Sequence, residues 1–272
     1  MTATATVSNF SYGAVTPVAA YLMACLGAAL GLRCTTRSMR RVHRRAGWLA
    51  LGAVSIGCGI WTMHFIAMIG FNVQGTLVGY DTPKTVLSLG VAITVVAMGV
   101  FLVGYRGRSP VNLVTAGTVT GLGVASMHYL GMAAVQTGVT LNYDVRTVAL
   151  SVVVAVVAAT AALWAAVSIS GVWSSAAASL VMGAAVTAMH YIGMAAVSVH
   201  LTGRAVAVQP SVGMLVFLLV MLAGPLAALL FAAIIVMFDP GMMLGDDVWD
   251  RPAPAPHIIG ATIPAQRREQ KP

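Results

Sequence analysis

The feature that most constrains this chain is its run of long, almost uncharged apolar blocks. Leu150 to Val167 contains no charged residue, and an apolar run that begins near Val86 continues through Met98 to Val103. Stretches of about 18 or more apolar residues read as membrane-spanning helices. Composition agrees: 59% of the 272 residues are hydrophobic and only 8% are charged, against about 25% charged in an ordinary soluble domain. So few charges cannot clothe a water-exposed surface of this size. The expected fold is therefore an all-α integral membrane protein with seven transmembrane helices. The spans are placed at about 13–32, 47–71, 85–105, 111–136, 147–169, 175–199 and 212–238, each near the ~20 residues a bilayer requires. The first ten residues lack the basic start of a cleavable signal peptide, so the first span is expected to remain. The segment 239–272, rich in proline and charge, reads as a disordered cytoplasmic tail, too short for a catalytic output domain.

Charge placement orients these spans. Arg33, Arg37, Arg40, Arg41, Arg44 and Arg45 follow span 1, Arg106 and Arg108 follow span 3, and Arg251, Arg267, Arg268 and Lys271 lie in the tail. With seven spans these share one side, which holds 12 of the 15 basic residues; Lys84, Arg146 and Arg204 fall on the other. The positive-inside rule then gives an external N-terminus and a cytoplasmic C-terminus. No aromatic platform accompanies the arginine cluster, so a basic loop is preferred and nucleic acid is not expected as a partner. Cys25, Cys34 and Cys58 are odd in number, two of them in apolar spans, and read as buried free thiols rather than a disulfide framework.

Within this frame one motif occurs three times, as Met63-His64-Phe65-Ile66-Ala67-Met68, Met127-His128-Tyr129-Leu130-Gly131-Met132 and Met189-His190-Tyr191-Ile192-Gly193-Met194. The histidines are 64 and 62 residues apart, and Gly57, Gly121 and Gly183 each precede their histidine by seven. One unit is two helices and two loops. Two spans restore the original direction, so the copies are parallel repeats about an axis along the membrane normal, with span 1 left over as an extra N-terminal helix. The three histidines then share one depth, near the outer face.

Histidine and the later methionine are four residues apart and so share a helix face, which pairs His64 with Met68, His128 with Met132 and His190 with Met194. Met63, Met127 and Met189 lie about 100° round the helix, where they flank the site or pack against a neighbour. An ionisable residue inside a membrane helix is costly and usually functional. Imidazole with a soft thioether suits copper, Cu(I) above all; haem is the second choice, and a purely polar interhelical network the third. Asp81 and Asp144 are read as helix N-caps, with a role orienting a ligand histidine as the alternative. Cys58 faces away from His64, His200 lies just beyond span 6 within reach of the site, and His43 and His257 stand apart in the basic loop and the tail.

The threefold Met-His-aromatic pattern resembles the MHYT family of bacterial integral membrane sensor domains. The resemblance covers about residues 12 to 238 and is carried best by Trp61-Thr62-Met63-His64-Phe65 and by Met189-His190-Tyr191-Ile192-Gly193-Met194-Ala195-Ala196. It implies a multi-pass sensor in the bacterial plasma (inner) membrane that binds copper near the outer face through the motif His and Met and responds to oxygen, carbon monoxide or nitric oxide. Such domains often continue into cytoplasmic modules that make or degrade cyclic di-GMP, or into histidine kinases. This chain departs from the pattern at the fourth motif position, which is Ile66, Leu130 and Ile192 rather than threonine. No output domain follows the spans, so the chain is expected not to be an enzyme and to signal through a separate cytoplasmic protein. A metal permease and a haem-binding membrane redox protein remain the alternatives.

Overall fold

The computed structural model describes residues 7–73, 78–137, 140–169, 171–200 and 212–238. Seven α-helices carry the fold: α1 Val15–Arg40, α2 Arg45–Ile69, α3 Thr82–Arg106, α4 Pro110–Ala133, α5 Val145–Ser168, α6 Val172–Ala195 and α7 Val212–Met237. Six of them are long and apolar enough to cross a membrane; α4 falls short on composition alone. Its sequence spends positions on Asn112, Thr115, Thr118, Thr120, Ser126 and His128, yet its 24 residues reach about 36 Å at 1.5 Å per residue. The chain is a multi-pass membrane protein. The segment 239–272, with His257, and the segment 201–211, with Arg204, lie outside the described residues.

Helix ends follow local chemistry. Asp81, Ser109 and Asp144 cap α3, α4 and α5 by accepting from the backbone N–H of Lys84, Asn112 and Thr147, and Pro83 and Pro110 sit in the first turns of α3 and α4, where no donor is lost. The capping expectation for Asp81 and Asp144 therefore holds. The hydroxyl and then the N–H of Thr147 draw the Asp144 carboxyl below its ordinary pKa. α1 extends eight residues past its expected end at 32, through Arg33 and Arg37 to Arg40, because arginine is a good helix former and does not end a helix.

The even helices stop short of the expected ends at 71, 136 and 199, since the chain there turns into strands that helical periodicity did not reveal. Three antiparallel two-stranded sheets form: β1 (Val7–Ser8) with β2 (Asn72–Val73), β3 (Gly79–Tyr80) with β4 (Val135–Gln136), and β5 (Thr140–Tyr143) with β6 (Val197–His200). Register pairs Val7 with Val73, Tyr80 with Val135, and Tyr143 with Val197. Each sheet joins the segment before an odd helix to the segment after the next even helix. Equivalent backbone hydrogen bonds reinforce the clasps, with Ser11 N–H donating to Gly70 O, Asp81 N–H to Ala134 O and Asp144 N–H to Ala196 O.

The strands re-phase the repeat. The units are the hairpins α1–α2, α3–α4 and α5–α6, each clasped by its own sheet at the end that carries the histidines. The helices pack in the order α1, α2, α3, α4, α5, α6 and back to α1, a closed ring. α1, set aside as the extra helix on sequence grounds, is the ring member that closes it. The extra helix is α7, which lays Leu229, Ala232 and Val236 over Leu30, Cys34 and Cys58 on the outside of α1 and α2. The two phasings differ because the repeated motif lies on even helices only and cannot say with which odd neighbour each pairs.

Small residues set the junctions between hairpins. A Cβ on Gly57 would lie 2.8 Å from Ile93 Cα in α3, one on Gly121 2.4 Å from Val156 Cα in α5, and one on Gly183 2.4 Å from Cys25 Sγ in α1. Each glycine thus seats an even helix against the odd helix of the next hairpin, the close approach expected where helices associate without a hydrophobic driving force. Between the histidines and the arginine-bearing end, the ring encloses an apolar cavity of about 60 Å³ lined by residues such as Ala28, Ile60, Val100, Val124, Ala162 and Val186.

Candidate metal centre

α2, α4 and α6 each bring one histidine to the ring's interior, and His64, His128 and His190 are each 1% exposed. Their ring centroids are 5.0, 5.0 and 5.1 Å apart and the planes meet at 88°, 81° and 89°, a three-bladed propeller. Each imidazole also meets edge-on the aromatic residue that follows it, Phe65, Tyr129 or Tyr191. The three Nδ1 atoms converge, with His64 to His190 at 3.1 Å, His128 to His64 at 3.2 Å and His190 to His128 at 3.3 Å.

A triangle of neutral Nδ1 atoms cannot satisfy itself. A protonated Nδ1 donates and has no lone pair left to accept, while an unprotonated one only accepts. One proton leaves two lone pairs facing each other, and two protons point hydrogens at one another. A cation at the centre accepts all three lone pairs. The centre of a triangle of side 3.2 Å lies about 1.8 Å from each corner, so an ion slightly off the plane has the ~2.0 Å contacts of metal–imidazole bonds. With Nδ1 free to coordinate, the ring protons belong on Nε2, and all three Nε2 atoms are buried without a hydrogen-bond partner. These residues fit a metal ion, and they are the cluster among the described residues able to hold one.

All the sequence-picked methionines are buried, in two layers. Met68, Met132 and Met194 share one cluster with Phe71, Val73, Val78 and Val199 beneath the strands, while Met63, Met127 and Met189 belong to the main core with Trp61 and Phe65. Cys58 faces α7, away from the centre, as its angular position required. His200 is in β6, its backbone paired with Thr140. Asp81 and Asp144 spend their carboxylates on helix caps rather than on a histidine.

Sequence reasoning gave no role to Gly131 and Gly193. A Cβ on Gly131 would lie 2.5 Å from His64 Nε2, and one on Gly193 2.5 Å from His128 Nε2. The bare backbone of each following even helix is the notch that admits a ring to the axis. The signal was present as glycine three residues after two of the histidines, with Ala67 in the remaining copy.

A membrane-embedded helical ring with a buried, metal-capable histidine triad defines the class. Residues 57–116 and 121–179 match the MHYT family, described as a bacterial signalling protein N-terminal repeat, and the chain belongs to that family. It is 38% identical over 192 residues to the bifunctional diguanylate cyclase/cyclic di-GMP phosphodiesterase MucR of Pseudomonas aeruginosa, covering 68% of this chain and 28% of that protein. It is 34% identical over 196 residues to the cyclic di-GMP phosphodiesterase NbdA of the same organism, covering 70% of this chain and 25% of NbdA. The signalling protein YkoW of Bacillus subtilis is 26% identical over 191 residues, 66% of this chain and 23% of its own length. The chain thus spans about a quarter of the length of these relatives. No solved structure matches it.

Proposed function

We propose that the chain is a sensor module of the bacterial inner membrane that holds one copper ion as Cu(I) between His64, His128 and His190 and responds to a diatomic gas or to redox state. The convergence of three Nδ1 atoms at 3.1 to 3.3 Å carries this reading. Charge and softness favour Cu(I). The triad contains no carboxylate or thiolate, so a doubly charged ion would sit in an apolar interior without an anionic ligand. A monovalent soft ion costs less, and Met68, Met132 and Met194, one turn beyond the histidines, are the thioethers for a fourth ligand. Rings within hydrogen-bonding distance leave no room for a macrocycle between them, which favours an ion over haem. The apolar cavity beyond the triad offers no polar path through the bundle, which favours a site over a permease.

When bound, the copper supplies a centre whose ligand and oxidation state can change. The protein contributes the coupling. Each donor stands on a different hairpin, so a change in donor spacing moves α2, α4 and α6 relative to one another. The arginine excess favours a cytoplasmic opposite end, where a signalling domain or partner would read the shift. MucR and NbdA are named for cyclic di-GMP turnover, and by that likeness the shift feeds the same kind of output.

The test is copper analysis of the detergent-purified chain with an optical spectrum. One copper per chain and no Soret band are expected, and His64→Gln, His128→Gln and His190→Gln together should reduce copper to background. Full copper in the triple variant would sink the assignment.

A further inference from the structure

The three hairpin junctions are equivalent by construction, yet they are not equally closed. At the α2/α3 junction the Phe65 ring meets Tyr80 edge-on at 5.8 Å, and Phe217 of α7 stacks over Tyr80 at 6.3 Å with planes 11° apart. At the α6/α1 junction Phe10 lies flat on Tyr191 at 5.4 Å and 14°. Among the described residues a third ring, Phe217 of α7, covers the pair at the α2/α3 junction, whereas Phe10 at the α6/α1 junction is the counterpart of Tyr80 within its pair. At the α4/α5 junction Tyr129 meets Tyr143 edge-on at 6.0 Å, and Tyr143 is 36% exposed. No third ring covers this pair among the described residues, and a groove opens there, lined by Tyr129, Met132, Gln136, Leu141 and Tyr143.

We infer that a soft monovalent metal ion reaches the triad through this α4/α5 groove, with Met132 as the thioether that takes it in. The inference rests on the metal reading of the triad. Met132 lines the groove while its side chain is 1% exposed, so it forms the floor between the groove and the interior, one helical turn from His128. Methionine has three rotatable bonds and a polarisable sulfur, so it can meet an ion at the groove and turn it inward without helix movement. The ion keeps its oxidation state and exchanges its carrier ligand first for thioether and then for imidazole. The opposite approach is closed, since the cavity on the arginine side of the triad has Thr120 as its one hydroxyl among apolar residues and a charged ion would cross it without ligands.

Position 136 allows a test that leaves the centre intact. Gln136 is exposed and lines the groove, and Asn72 holds the matching exposed place in β2 at the roofed α2/α3 junction. The native thiols Cys25, Cys34 and Cys58 are buried, so a bulky maleimide marks an introduced cysteine selectively. The full-length chain in detergent is loaded with chelator-buffered Cu(I), and both the rate and the final copper ratio are followed. Labelled Gln136→Cys should load about tenfold more slowly to the same final ratio, while unlabelled Gln136→Cys and labelled Asn72→Cys load at the parent rate. Equal rates for both labelled proteins, or slowing by the Asn72→Cys label alone, would overturn the route. Failure of the parent chain to take copper at all would instead overturn the metal reading on which the route depends.

Discussion

The ring has two halves built from the same six helices, and they solve burial in opposite ways. The histidine half fills its axis with polar rings, banks methionines on them, and closes each hairpin with a two-stranded sheet. The arginine half leaves its axis to alanine and branched aliphatic side chains around a small apolar void. Repetition runs through both halves. His, Met and the seven-before glycine recur in all three copies, and Ile60, Val124 and Val186, each four residues before its histidine, line the void. The halves therefore differ in the chemistry the repeat brings to the axis and not in how closely they repeat.

Adding one methyl group in each half breaks or sharpens that contrast most strongly. Gly131→Ala places a carbon 2.5 Å from His64 Nε2, must push the ring off the axis, and is expected to weaken copper binding about 10- to 100-fold, the range seen when groups supporting a metal ligand are disturbed. Gly47→Ala, at the arginine end of α2 with nothing within 4 Å of its Cβ, should leave affinity unchanged. Competition titration against a Cu(I) chelator measures both; equal affinities would erase the distinction between the halves.

A smaller effect of opposite sign is expected on the other side. Ala162→Val grows into the apolar void and should raise stability by about 1 kcal/mol, as cavity-filling substitutions commonly do, with copper content unchanged. Thermal unfolding of the detergent-solubilised chain tests this, and loss of copper would show that the void and the triad are coupled.

The smallest effect concerns the hairpin clasps. Asp144→Ala removes the cap of α5 at the histidine end and should lower the thermal midpoint slightly at neutral pH. Because hydrogen bonds from Thr147 hold the Asp144 carboxyl below its ordinary pKa, the folded state favours the ionised form. The cap's contribution is present above the ordinary carboxylate range, about 4, and is lost as pH falls through the lowered value. Parent and variant midpoints should therefore converge on acidification; a gap that persists at low pH would contradict the cap.

Much of this was legible in the sequence because it rests on period and parity. Long apolar blocks located all seven helices within a few residues at most ends, and the repeat put His64, His128 and His190 at one level before any coordinates. Three things were not legible. The strands are two to four residues long, too short for alternation to show. The pairing of hairpins depends on contacts between α1 and α6, which no local pattern encodes. The convergence on Nδ1 depends on notches that Gly131 and Gly193 cut in neighbouring helices, and a glycine in an apolar helix has many other uses.

Closure of the ring by α1 against α6 also imposes an order of birth. The ribosome delivers α1 first, and it must wait through four further helices before its last ring neighbour emerges. His190 rides on that neighbour, so a chain stalled after α5 holds only two of the three donors and an unsealed wall. The centre comes into being in the same step that completes the barrel of helices, and a captured ion would act as a seal on a finished insertion.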